Sequence, residues 1–148
     1  MTIRAYIPFT VSELAAQWPH PTVSTAFAPD AAARALRGDD LEEAEWLAMS
    51  AAAAQAGQRA VEGHSPAELR AVLAVDVDPA HEEPIAPGIS LVTIDAGDLD
   101  IASVHADEPA VAARLSGEAA HDERVYDEAS LLWYAPAEVS GLLDTLAQ

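Results

Sequence analysis

The sequence predicts one domain of 148 residues in the α/β class, with α+β as the alternative, built on a mixed, mostly β sheet of five or six strands layered with helices. Three observations lead to this expectation. Strand and helix patterns alternate along the first half of the chain, and an alanine-rich segment at about 40–62 has helix signals at both ends. The run Ala71–Val75 is continuously apolar, which is typical of a strand covered on both faces.

The first segments read as strand, helix and strand. Apolar and polar residues alternate through Ile3–Ile7, and Pro8 is expected to end that strand. Thr10 and Glu13 have the spacing of a capping box, which predicts a short helix after them. Val23–Phe27 is rich in β-branched residues and predicts the second strand.

A short helix is predicted from Asp30 to Leu36, and the longest helix follows it. Asp39 or Asp40 can cap the long helix, and Gly63 can end it in the left-handed conformation. Its expected buried face is one stripe with three flanking residues: Leu41, Ala44, Leu47, Ala48, Ala51 and Ala54, widened by Trp46, Met49 and Ala53.

The second half begins with the apolar run Ala71–Val75, which we expect to be the central strand of the sheet. The segment Pro79–Gly88 contains three prolines and reads as a loop. Two further strands are predicted at Ile89–Ile94 and Ile101–Ala106. The residues Asp95–Asp98 between them favour a turn, so we expect the two strands to form a hairpin.

The last elements are less regular. Asp107 is expected to cap a helix that runs towards Gly117. The four residues Leu131–Tyr134 fit either a short strand or the start of a helix. From Pro136 a final amphipathic helix is predicted, with a face formed by Val139, Leu142, Leu143 and Leu146.

Charge limits the classes of partner. The chain has 25 acidic residues, seven arginines and no lysine, for a formal charge of −18, which argues against binding nucleic acid or an anionic membrane. A protein partner, with a basic surface as one option, is the simplest expectation. Without a signal peptide or an apolar stretch of about 20 residues, we expect a cytoplasmic protein. No cysteine and no glycine-rich phosphate loop are present, and no cofactor is expected.

Acidic residues at predicted strand ends are weak candidates for a metal site. Asp76 and Asp78 follow the central strand, and Asp95 lies at the expected hairpin turn. Carboxylates there suit Mg²⁺ or Ca²⁺, but their spacing matches no calcium-loop motif. Turn formation and solvated charge explain the same residues, and we favour that interpretation.

Three histidines stand next to carboxylates, and each pair has the composition of an acid–base dyad. The pairs are His81 with Glu82, His105 with Asp107, and His121 with Asp122. His105 is the best candidate for a catalytic base, because a predicted strand fixes its backbone. Chance proximity is the alternative, since about one residue in six is acidic.

Aromatic residues near the C-terminus are the candidates for an interaction surface. Trp133, Tyr134 and Tyr126 are close in sequence, and Trp and Tyr are enriched in binding hot spots. The competing interpretation is that Trp133 anchors the last helix in the core. Arg4 and Tyr6, on the polar side of the first strand, have the same two explanations, an interaction surface or a packing role.

Four segments carry a family resemblance. Arg4–Thr10, Leu41–Trp46, Arg70–Val77 and Leu131–Ala135 resemble a family of uncharacterised small proteins from actinobacteria. The resemblance covers nearly the whole chain, although Ala137 stands before Glu138 where we associate glutamine with the family. It implies a cytoplasmic bacterial protein and transfers no catalytic role.

Two functions compete at this point. The leading hypothesis is a non-catalytic protein-interaction or regulatory module that uses its acidic face and the Trp133 region. The alternative is a small metal-assisted hydrolase with strand-end carboxylates as ligands and His105 as base.

Overall fold

Seven strands form one sheet, in which every neighbouring pair is antiparallel and the order is β4-β5-β2-β1-β3-β6-β7. The computed structural model describes residues 1–62, 68–95, 99–111 and 130–146. The strands are β1 (Ile3–Thr10), β2 (Thr25–Pro29), β3 (Arg70–Val77), β4 (His81–Ala86), β5 (Ile89–Thr93), β6 (Asp100–Asp107) and β7 (Leu131–Tyr134).

Four helices of the described residues pack on this sheet: α1 (Val11–Gln17), α2 (Ala31–Arg34), α3 (Asp39–Glu62) and α4 (Pro136–Leu146). The domain is therefore α+β, because its neighbouring strands are all antiparallel. None of the helices in the described ranges is long and apolar enough to cross a membrane.

Local capping signals correctly predicted the helix starts. The Thr10 hydroxyl accepts from the Glu13 amide at 3.2 Å, and the Glu13 carboxylate accepts from the Thr10 amide at 3.1 Å, which completes the predicted capping box of α1. The Asp30 carboxylate caps α2 by accepting from the Ala33 amide at 2.8 Å. The long helix begins at Asp39, as expected, but Asp39 and Asp40 both lie in its first turn, so neither is the residue that caps it. Gly63 lies outside the described residues.

The two faces of the sheet are covered differently. On one face α1 and α4 cover a core of alternate residues from β1, β3 and β6, with Leu14 and Val139 at its centre. On the other face α3 lies over β1, β2 and β3. There Tyr6 and Val72 of the sheet contact the helix. The predicted face of α4 is confirmed, with Val139 and Leu142 buried.

The side of α3 that faces the sheet consists of small residues. Its buried positions repeat every fourth residue, with two neighbours: Ala44, Ala48, Ala52, Ala56 and Ala60, with Ala53 and Gly57. Ala44 and Ala48 were correctly placed in the predicted stripe, whereas Leu47, Ala54 and Trp46 are exposed. Trp46 was wrongly assigned to the buried face, because the sheet side chains already fill the volume beneath the helix.

Strand pairing differs from the sequence prediction in the second half of the chain. The predicted loop at Pro79–Gly88 contains strand β4, which pairs with β5 through a turn at Pro87 and Gly88. Gly88 has a φ of 81°, a value that residues with side chains rarely adopt. β4 lies at the end of the strand order, where proline is tolerated because one edge needs no ladder bonds.

The predicted hairpin of β5 and β6 does not form. The two strands exist, but β5 pairs with β2 and β6 pairs with β3, so three strands separate them. Ile94 and Leu99, at the two ends of the connection, both pack against the core that α1 and α4 cover. Residues 96–98 of the expected turn lie outside the described part of the chain.

A buried ion pair joins β3 and β6 at one end of the sheet. The Asp107 carboxylate, fully buried, accepts from the Arg70 amide at 2.8 Å and from the Arg70 guanidinium at 2.8 and 3.0 Å. Asp107 therefore ends β6 and is engaged by Arg70, a role that its prediction as a helix cap missed. The helix predicted beyond Asp107 lies mostly outside the described residues.

The small residues on the sheet-facing side of α3 predict that a larger side chain at these positions destabilises the protein. Replacing Ala52, which has no exposed surface, with leucine is expected to lower the free energy of unfolding by about 1–3 kcal/mol, because the larger side chain has no room. Urea denaturation measures the change. Ala54→Leu, at an exposed position of the same helix, is the control and should be close to neutral. Equal effects of the two substitutions would contradict the close packing of α3.

The buried ion pair between Arg70 and Asp107 predicts a large loss of stability when one of its charges is removed. Asp107→Asn removes the carboxylate charge that faces the buried Arg70 guanidinium, and we expect a loss of about 3 kcal/mol in the free energy of unfolding. Asp100→Asn, at the exposed start of β6, is the matched control. A loss below about 1 kcal/mol for Asp107→Asn would show that the pair does not stabilise the fold.

Candidate functional site

An open groove lies beside α3, where the helix leaves β6 and β7 uncovered. Its volume is about 300 Å³, and it is lined by ten residues from five elements: Arg4, Tyr6, Glu42, Glu45, Trp46, Met49, Ala74, Ser103, His105 and Trp133. We call this feature the Trp groove. It sits on the α3 face of the sheet, opposite α1 and α4.

One wall of the Trp groove is a stripe along α3. Glu42, Glu45, Trp46 and Met49 follow the i, i+3, i+4, i+7 spacing, which places them on the same side of a helix. This stripe flanks the alanine side that contacts the sheet. Because the alanine side of α3 contacts the sheet, the neighbouring stripe places its large side chains at the edge of the covered area and not above the centre of the sheet.

The floor of the groove is formed by neighbouring strands in register. Tyr6 of β1 pairs with Ala74 of β3, and Ala74 pairs with Ser103 of β6. His105, two residues further along β6, pairs with Trp133 of β7. Alternation along each strand places these side chains on the same face of the sheet.

Two tryptophans stand exposed at the groove. The side chain of Trp46 is 59% exposed and that of Trp133 is 60% exposed. Trp133 is therefore not the core anchor of the last helix, because it lies on the α3 face while α4 packs on the other. Trp is normally well buried, so two large exposed rings at one groove mark a surface suited to binding.

Among the described residues that line the groove, Arg4 is the one arginine, and its charge is matched. Its guanidinium donates to Asp76 through Nε at 2.8 Å and through a terminal nitrogen at 3.3 Å. These hydrogen bonds, more than the opposing effect of burial, raise the pKa of Arg4 above its ordinary value. The pair joins β1 to β3 and leaves the acidic residues of α3 to set the charge of the groove.

Tyr6 connects the floor to the helix wall. Its hydroxyl donates to Glu45 across 3.4 Å, a long hydrogen bond. Burial, and then the negative charge of Glu45, raise the pKa of Tyr6 well above its ordinary value. The ring is thus neutral at any physiological pH and acts as a hydrogen-bond donor.

His105 is half-buried and lies within hydrogen-bond distance of Ser103, with 3.1 Å between Nε2 and Oγ. Burial and the nearby positive charge of Arg4 lower its pKa, so the imidazole is neutral at pH 7. The predicted dyad with Asp107 does not form: the Asp107 carboxylate is engaged by Arg70. His81 and Glu82 are adjacent on β4, so their side chains point to opposite faces.

The structure brings together three of the five predicted interaction residues. Arg4, Tyr6 and Trp133 all line the Trp groove. Tyr134 points to the opposite face, where it packs against the core beneath α4. Tyr126 lies outside the described residues, as do His121 and Asp122.

The three candidate metal ligands do not converge. Asp76 is paired with Arg4, Asp78 accepts from the amino group of Met1 at 3.0 Å, and Asp95 is exposed beyond β5. Across the described ranges, no group of three or more acidic, histidine or cysteine side chains is arranged to hold a metal ion. The described carboxylates therefore give the hydrolase hypothesis no metal centre.

Six of the ten residues that line the groove were not identified from the sequence as part of a site: the four on α3, and Ala74 and Ser103 on the floor. Trp46 and Met49 were assigned to the buried stripe of the long helix, and Glu42 and Glu45 were treated as ordinary helix residues. The regular spacing of alanines from Ala44 to Ala60 contained the missing signal. An alanine row at every fourth position indicates the face that contacts a sheet, and Trp46 lies off that row.

The fold and groove define a seven-stranded antiparallel α+β protein with a tryptophan-flanked surface groove. The chain belongs to the Family of unknown function (DUF6912), whose model matches residues 3–143. The matched span includes every residue that lines the Trp groove. No curated protein and no solved structure gives a significant match.

The neutral state of His105 predicts a pH dependence. Its imidazole should titrate below the ordinary value of 6.5, as followed by NMR of its ring protons. As pH falls below about 6.5, the unfolded chain takes up a proton before the folded protein does, so stability is lost down to the folded pKa. Arg4→Gln removes a nearby positive charge and should raise the pKa of His105. An unchanged or lower pKa in this variant would contradict the assignment.

Proposed function

We propose that this protein is a non-catalytic interaction module that binds a partner protein in the Trp groove. The observation that carries the proposal is the pair of exposed tryptophans, Trp46 and Trp133, on either side of a polar floor. Trp is the residue most enriched in binding hot spots, where it is typically buried by the partner. Covering two such rings would remove a large apolar area from water.

The polar floor supports a binding role because it is internally organised. Arg4 is held by Asp76, Tyr6 by Glu45 and His105 by Ser103. A floor whose side chains are fixed before binding loses little entropy when a partner arrives. Preorganised polar groups under a pair of aromatic rings suit recognition of a specific segment.

The same contacts argue against nucleophilic catalysis at this position. Ser103 lines the groove but is only 5% exposed, so little of it is accessible to a substrate. The histidine beside it would need a carboxylate to orient its ring, and Asp107 is committed to Arg70. The pair of Ser103 and His105 is better explained as support for the groove floor.

The proposal predicts that capture of a partner depends on both tryptophans. Immobilised protein is exposed at low salt to a lysate of the cells that express it, and captured proteins are quantified by mass spectrometry. A partner retained by the unmodified protein should be lost from Trp46→Ala and from Trp133→Thr. Alanine suits the helix and threonine suits the strand, so both variants preserve local propensity.

Leu47→Ala is the control, because Leu47 is an exposed apolar residue of α3 that does not line the groove. The captured partner is then purified and titrated by calorimetry, and each tryptophan variant should bind at least about tenfold more weakly, a loss of about 1.4 kcal/mol. Circular dichroism verifies that the variants are folded. Capture that persists in both tryptophan variants, or no capture at all, would refute the proposal.

A further inference from the structure

We propose that the partner inserts an arginine side chain into the Trp groove, between Trp46 and Trp133. This inference rests on the proposed function and names the group that is recognised. The structure supplies three features that a guanidinium requires: aromatic faces, carboxylates and a cavity of suitable size.

The charge of the groove favours a cation. Glu42 and Glu45 line its helix wall, and Arg4, the one arginine among the described lining residues, is matched by Asp76. The groove therefore has a negative balance even when its own arginine is counted. The formal charge of −18 over the whole chain extends this field and would attract a basic segment over longer distances.

Of the arginines in the described residues, only Arg4 lines the Trp groove, and Arg37 donates to the backbone carbonyls of Ala35 and Leu36 instead. Within the described ranges Arg34 pairs with Glu82, Arg59 with Glu13 and Arg70 with Asp107, all away from the groove. Each of these guanidinium groups is held by a carboxylate of the same chain. Within the part of the chain that the structure describes, no second arginine lines the groove, which leaves the acidic wall of Glu42 and Glu45 to a cation from a partner.

The aromatic rings distinguish a guanidinium from other cations. A planar guanidinium stacks on the face of Trp and is attracted by its quadrupole, and its weaker hydration lowers the cost of leaving water. Its fork of N–H donors can also bind a carboxylate through two hydrogen bonds, and Glu42 lies on the same helix wall as Trp46. A lysine ammonium has the charge but neither the plane nor the fork.

The size of the cavity agrees with a single side chain. At about 300 Å³ the groove is at the lower limit of typical small-molecule pockets, and it is open to solvent along one side. An arginine can enter from the surface while the backbone of its chain remains outside. Trp133 is on the last strand of the sheet order, so the backbone of a partner can approach that edge.

The test compares three blocked peptides that differ at one position: acetyl-Gly-Arg-Gly-amide, its lysine analogue and its citrulline analogue, which has the shape of arginine without the charge. Binding to the full chain is followed by NMR of the indole N–H signals. We expect saturable shifts of Trp46 and Trp133 in the millimolar range with the arginine peptide. Trp18, which packs against the core on the opposite face, is the internal control and should not move.

Citrulline should bind at least about tenfold more weakly than arginine, because it lacks the charge that the groove selects. The double variant Glu42→Gln, Glu45→Gln should weaken the arginine peptide by a similar factor and preserve side-chain volume. Glu43→Gln, one residue away and outside the groove, is the matched control and should leave binding unchanged.

Several results would overturn the inference. The citrulline peptide could bind as tightly as the arginine peptide, or the lysine peptide as tightly or more tightly. The indole signals of Trp46 and Trp133 could show no shift at any accessible concentration. The shifts could also persist in the double variant Glu42→Gln, Glu45→Gln. Each leaves the proposed function standing if capture of a partner protein still depends on Trp46 and Trp133. Loss of that dependence refutes the proposed function itself, so the two failures are distinguishable.

Discussion

The contact between the alanine side of α3 and the sheet is the constraint on which the rest of this structure depends. Alanines at every fourth position, from Ala44 to Ala60, let the helix lie directly on β1, β2 and β3. Because small side chains fill that contact, the large residues of the helix have no place in the core. Trp46 stands instead at its flank, exposed in the groove, and Met49 packs partly buried at the margin of the contact. The Trp groove is thus a direct consequence of how closely the helix packs.

Ion pairs at the two ends of β3 complete this arrangement. Arg4 and Asp76 join β1 to β3 at one end, while Arg70 and Asp107 join β3 to β6 at the other. The first pair lies partly exposed at the groove and neutralises the charge of Arg4. The second is buried, so its two charges stabilise the strand pairing only as long as both are present. Together they fix the strands that present Tyr6, Ser103 and His105.

Local chemistry explains which parts of this fold were predictable. The capping box at Thr10, the start of α3 at Asp39 and the helix after Pro136 depend on residues a few positions apart, and all three were placed correctly. The pairing of β5 and β6 was not predictable in this way, because strand partners are chosen by packing across the whole sheet. The residues of the candidate site divide in the same way between local and global information. Arg4, Tyr6 and Trp133 were each identified from the sequence. Trp46 could be recognised as part of the site only once the buried face of α3 was known.

The claim that the Trp groove binds an arginine side chain is tested most directly by locating a bound arginine relative to the two indole rings. Isotope-filtered NMR of the complex with the arginine peptide measures nuclear Overhauser effects between its side-chain methylene protons and the indole rings. We expect nuclear Overhauser effects from the arginine side chain to both Trp46 and Trp133 and none to Trp18. Contacts confined to exposed apolar residues elsewhere, such as Leu36 or Ile85, would contradict the claim.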